Sequence, residues 1–174
     1  MGNRFQIPFQ LGTWTGLAAF AYFVMIWFTP FSPLGMARFG GFWIPILFTL
    51  LAVYRQKQAN GAEGYGFGNA FLTGMATVLV LGSVKAVLVY MFIHFYDIGL
   101  IRDTNDEIIR MLETMRAYSP TPQEIDTQIE LIREAGKKTT AFSMAAGEVN
   151  LYLIGGFPVS LFAALIFNRK PQHG

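Results

Sequence analysis

The sequence predicts an all-α integral membrane protein with four transmembrane helices and an extracytoplasmic helical hairpin between the third and fourth. Three observations carry that prediction. The 174 residues are 53% apolar and only 14% charged, whereas a soluble domain carries about 25% charged residues. Four apolar runs approach or exceed the roughly 20 residues a helix needs to span hydrocarbon, and each is too long for a strand. The charges concentrate in one block, 102–138. A single membrane domain, 1–174, fits this length.

The first span, about 11–29, stops at Pro30-Phe31-Ser32-Pro33, where two prolines favour an extended turn over continued helix. The run is long for a signal peptide and ends in bulky Trp27-Phe28-Thr29 where a cleavage site needs small residues, so a retained helix is expected. The opening Met-Gly-Asn-Arg-Phe-Gln lacks the Ser or Thr of a myristoylation signal. The second span, about 36–54, contains Pro45, which should kink it or mark a short 3₁₀ stretch, and ends at Arg55-Gln56-Lys57. The third, about 69–96, is long enough to tilt or project beyond the hydrocarbon. The fourth, about 140–167, ends at Asn168-Arg169-Lys170, and its Gly155-Gly156-Phe157-Pro158 predicts a bend.

Lys and Arg set the orientation. Arg4, Arg55, Lys57, Arg169 and Lys170 would share one side, against Arg38 alone in the first connection. The third connection has six basic and nine acidic residues and is long enough for its charges to count less. Positive-inside then places both termini and the 55–68 loop in the cytoplasm.

The third connection, 101–138, reads as a folded hairpin. Thr104-Asn105-Asp106-Glu107 and Thr121-Pro122-Gln123-Glu124 both have capping-box spacing, the second with proline at the first helical position. Ile108, Met111, Leu112 and Met115 form one apolar stripe; Ile125, Ile129 and Ile132 form another. These stripes either pack on each other or the spans, or dock a partner.

Lys85 and Glu148 are the fully charged side chains well inside the apolar runs. An intramembrane charge costs about 2.5–3.5 kcal/mol on insertion scales and is rarely left facing lipid. Lys85 lies about eleven residues before the outer end of its span and Glu148 about eight after the start of its own, an offset of roughly 5 Å along the normal. A lysine stem covers that distance, so a Lys85–Glu148 contact is expected, with Asn150 or Tyr152 supplying hydrogen bonds. The pair would fix helix register or form a proton or solute site; alternatively, Lys85 snorkels to a lipid headgroup.

Other chemistry is thinly supported. There are no cysteines, which excludes disulfides and thiolate sites. His94 and Asp97 share a helix face, but two ligands do not make a metal site, and His173 lies across the membrane. The loop Gly61-Ala62-Glu63-Gly64-Tyr65-Gly66-Phe67-Gly68 lacks the preceding strand and the Lys-Ser/Thr of a phosphate loop. It is expected to be a flexible turn, with Tyr65, Phe67 and Phe71 as interfacial anchors. Gly12 with Gly16 and Gly74 with Gly82 suggest close helix packing within the bundle. No catalytic motif, cofactor, nucleotide or nucleic-acid signature is present, so an enzyme is not expected.

The order of parts resembles the DUF4199 family of membrane proteins, of unknown function and found mostly in Bacteroidetes. The likeness lies in Gly64-Tyr65-Gly66-Phe67-Gly68-Asn69-Ala70-Phe71 entering the third span and in Ser119-Pro120-Thr121-Pro122-Gln123-Glu124-Ile125-Asp126 in the hairpin. It continues through Glu148 and Gly156-Phe157-Pro158-Val159 to Asn168-Arg169-Lys170-Pro171. The resemblance covers essentially the whole chain and implies a four-helix bacterial inner-membrane protein with no activity to carry over. The expected role is a non-enzymatic accessory or scaffold subunit embedded in the lipid bilayer beside membrane-protein partners. The alternatives are a small transporter or proton pathway through Lys85 and Glu148, and a sensor or assembly factor docking through the hairpin.

Overall fold

The computed structural model describes residues 5–61, 65–118 and 120–167. Arg4, Glu63, Ser119, Arg169, Lys170 and His173, which enter the sequence argument, lie outside the described residues. Among the described residues all regular structure is helical: α1 (Gln6–Trp27), a 3₁₀ helix (Met36–Gly41), α2 (Trp43–Asn60), α3 (Phe67–Phe95), α4 (Leu100–Arg116), α5 (Pro122–Lys138) and α6 (Ala141–Phe167). Among the described residues four segments are long and apolar enough to cross a membrane: α1, the 3₁₀ helix together with α2, α3 and α6. The chain is a multi-pass membrane protein by this measure.

The prolines act locally. Pro8 and Pro45 each occupy the third position of their helix, where the missing N–H has no intrahelical acceptor and no kink is required. The irregular stretch expected from Pro45 lies upstream, as the 3₁₀ helix. Helix α6 runs unbroken through Pro158.

Helix α3 is central, packing on α1, α2 and α6. Small residues set the spacing. A Cβ on Gly12 or Gly16 would come within 2.8 Å of Val80 or Val84 of α3. On the other side Gly74 faces Ser160 of α6, and a Cβ on Gly156 would overlap the Val78 side chain. The Gly12–Gly16 spacing thus serves packing of α1 on α3.

Helices α4 and α5 run antiparallel, with Arg116 on Asp126, Arg133 facing Glu113 and Asn105 against Gly136. The first capping-box reading is corrected here. Helix α4 begins at Leu100, so Thr104 is interior and its hydroxyl donates to the Leu100 carbonyl at 2.7 Å. Glu107 accepts the backbone N–H of Ser32 at 2.7 Å, and Ser32 Oγ meets Thr104 Oγ1. The Thr-x-x-Glu spacing therefore docks α4 onto the loop after α1. The second box keeps its position but not its bonds. Thr121 is at the N-cap and Pro122 first in α5, yet the Thr121 side chain caps no backbone N–H there, and its hydroxyl instead donates to Glu124 Oε2 at 3.0 Å.

Beside this dock Trp27 Nε1 donates to Asp97 Oδ2 at 2.8 Å. Leu34 and Leu100 are buried with Phe23, Val89 and Ile93, so the start of α4 closes that end of the bundle. Glu107→Ala removes a charged acceptor from a half-buried backbone donor, an effect of about 1.5–3 kcal/mol. The expected result is faster amide exchange across α4 and α5 with unchanged protection in α3; uniform exchange loss throughout the bundle would contradict a local dock.

Candidate functional site

Charge is nearly absent from the first half of the bundle. Arg38 is the one charged residue between positions 5 and 54. The 3₁₀ helix that carries it folds against α1: the Tyr22 hydroxyl donates to the Ala37 carbonyl at 3.2 Å, and a Cβ on Gly41 would lie 2.5 Å from the Tyr22 ring. Glycine permits that approach.

Lys85 of α3 and Glu148 of α6 meet between the helices. Lys85 Nζ donates to Glu148 Oε2 at 2.6 Å and to the Tyr152 hydroxyl at 3.1 Å, with Lys85 4% and Glu148 2% exposed. Arg38 Nη1 lies 3.5 Å from the other carboxylate oxygen, Oε1. The Phe42 ring stacks on Tyr152 at 5.8 Å and shields the cluster. Two cations therefore share one carboxylate, both of whose oxygens are engaged. The space between these groups and α1 is about 10 Å³, barely one water by the usual measure of about 10–15 Å³.

Asn150 is not part of the cluster. It is exposed, whereas Tyr152 is buried, because a residue two places on points to the far side of a helix and one four places on returns to the same face. Arg38 is the residue that sequence reasoning missed. Counted as a loop charge, it had one signal: isolation in a long uncharged stretch, framed by Gly35, Gly40 and Gly41.

The docking candidates divide. Met111 and Met115 are 40% and 55% exposed, Ile108, Ile125 and Ile132 are half-buried, and Ile129 is buried. Tyr118 and Leu131 are also exposed. His94 is exposed and stacks on Tyr90 with ring centroids 5.5 Å apart, while Asp97 is taken by Trp27. Among the described residues no group of three His, Asp or Glu could hold a metal ion.

Tyr65 overturns its expected role as an interfacial anchor. It is 4% exposed, packs with Val53, Ala70 and Ala163, and donates to Thr73 Oγ1 at 3.0 Å. Burial pushes its phenol above the ordinary 10.0, an effect the Thr73 hydrogen bond moderates, so the group stays protonated. The phenol has a buried hydroxyl partner, which the membrane–water interface would not provide.

A family model for a protein of unknown function, DUF4199, matches residues 1–169. The chain belongs to the DUF4199 family. No curated protein and no solved structure matches it. For this DUF4199 protein, residue roles therefore rest on geometry: a buried Lys85–Glu148–Tyr152 cluster joined by part-buried Arg38, and a helix pair docked over the end of the bundle.

Proposed function

We propose that the protein is a non-enzymatic accessory or scaffold subunit of a larger bacterial inner-membrane assembly. Both termini lie in the cytoplasm and the α4–α5 pair lies on the extracytoplasmic face. The observation that carries this reading is how tightly the charges pack. Lys85 meets both Glu148 and Tyr152, and Arg38 Nη1 reaches the other Glu148 oxygen while Arg38 Nε has no hydrogen-bond partner among the described residues; only about 10 Å³ of space adjoins them. That arrangement leaves no room for a solute and suits a latch fixing the register of α3, α6 and the 3₁₀ helix. The orientation is favoured because Arg38 is tied to Glu148 and gives the first connection no exposed cation pair to set against Arg55 and Lys57. Met111, Met115, Tyr118 and Leu131 provide exposed apolar side chains on the α4–α5 pair for a partner.

The test is affinity purification in mild detergent. A stoichiometric partner is expected with the wild type, lost at least ten-fold in Met111→Glu/Met115→Glu while helicity is unchanged. A lone monomer would overturn the subunit reading.

A second reading, a proton pathway, is favoured by one observation. Arg38 Nε, Thr49 Oγ1, Ser160 Oγ and Gln56 Oε1 are buried without a protein hydrogen-bond partner among the described residues, and Thr49 shares a cavity of about 40 Å³ with Tyr152. Proton flux into liposomes that disappears in Lys85→Met/Glu148→Met, with the fold intact, would replace the scaffold reading with this one.

A further inference from the structure

The α4–α5 pair does not lie flush on the bundle. Between it and the adjoining ends of α3 and α6 is a groove of about 830 Å³, within the size range of ligand sites. Ile93, Ile98, Ile101 and Ile109 give it an apolar floor. Its charged lining is balanced: Arg102, Arg133 and Lys137 against Asp106, Glu130 and Glu134.

Immediately along α3 and α6, within their membrane-spanning lengths, lies a second cleft of about 470 Å³. It is lined by Ser83, Val87, Tyr90, Phe142, Ala146 and neighbouring small residues, with no charge among them. Val87 and Phe142 are 59% and 73% exposed, so the cleft opens sideways from the bundle. The two spaces adjoin. Tyr90 lines the lower cleft and His94 the upper groove, with their rings stacked at 8°, and Ala141 and Phe142 divide between them in the same way.

We infer that groove and cleft together form one binding site for a zwitterionic phospholipid, with an acyl chain along α3–α6 and the headgroup beneath the α4–α5 pair. The polarity profile supplies the argument: apolar and uncharged at membrane depth, then charged where the spans end. A transmembrane helix would need about 20 apolar residues in continuous register, whereas this path changes from apolar to polar partway along. The charge balance selects the headgroup. A phosphate meets guanidinium donors and an ammonium meets carboxylates, each in a charge-assisted hydrogen bond. Arg102 and Arg133 are open to exchange, since their carboxylate contacts are long, 3.8 Å to Asp106 and 4.0 Å to Glu113, and such exposed pairs hold weakly.

The test is native mass spectrometry of the full chain in detergent, titrated with phosphatidylethanolamine and separately with phosphatidylglycerol. One phosphatidylethanolamine per chain is expected, at least ten-fold preferred over phosphatidylglycerol. Asp106→Asn/Glu130→Gln, which removes carboxylates available to the ammonium that phosphatidylglycerol lacks, should abolish the preference. Ala146→Trp, at an exposed position lining the cleft, should weaken binding at least ten-fold. Both variants change surface positions, and circular dichroism checks their fold. Equal adducts from both lipids, or adducts unchanged in the variants, would mean annular lipid only and overturn the site. A dimer mass in place of a lipid adduct would overturn it in favour of a second copy. None of these outcomes depends on whether a partner subunit exists.

Discussion

Glu148→Met is expected to be the most damaging single substitution in the bundle, exceeding Lys85→Met. Removing the carboxylate leaves Lys85, 4% exposed, with a neutral Tyr152 hydroxyl and with Arg38 as a nearby like charge. Breaking a buried pair from one side costs about 3–5 kcal/mol. Lys85→Met is milder, because Arg38 remains 3.5 Å from the carboxylate. The double variant Lys85→Met/Glu148→Met should recover much of the loss. It leaves only Arg38, whose side chain is 31% exposed and can turn its guanidinium toward polar surroundings. Unfolding midpoints in a denaturing-detergent titration test this order, and the non-additivity is the signature of the contact. A double variant less stable than Glu148→Met would refute the account.

The second large effect is expected at the α3–α6 seam. Gly156→Leu places a side chain where Val78 already stands, and overpacking of this kind costs about 1–3 kcal/mol, occasionally more. The same shift would part Lys85 from Glu148, two turns further along the seam, so the electrostatic loss would add to the steric one. Val78→Ala combined with Gly156→Ala should be better tolerated than Gly156→Ala alone. The same titration reads both, and equal midpoints for Gly156→Leu and wild type would show that the seam is looser than its geometry implies.

What the sequence made legible followed from length and depth. The four spans appear as uninterrupted apolar runs, and counting residues from the span ends brought Lys85 and Glu148 to matching levels. The failures share a different character. Thr104 and Glu107 have the spacing of a cap, yet that spacing also presents both side chains on one face of a helix interior, and their partner Ser32 is more than seventy residues away. Arg38 sits in a connection, where a charge ordinarily faces water, whereas the 3₁₀ helix turns it inward against Glu148. Asn150 and Tyr152 were separable in principle by helical phase alone. The glycine-rich surroundings of Tyr65 suggest an exposed loop, while its position is set by Thr73 and the apolar residues around it. Local patterns specified the elements; the contacts across long sequence separations came from packing.

The 63 residues separating Lys85 from Glu148 also impose an order on biogenesis. Chains are made from the N-terminus, so α3 enters the bilayer before the residue that neutralises its lysine has been synthesised. For that interval the lysine carries the insertion penalty of an unpaired charge, about 2.5–3.5 kcal/mol. Helix α3 is long and apolar enough to cross a membrane, and its other apolar residues offset that penalty while the partner is missing. Trimming them would expose a translocation defect before any folding defect.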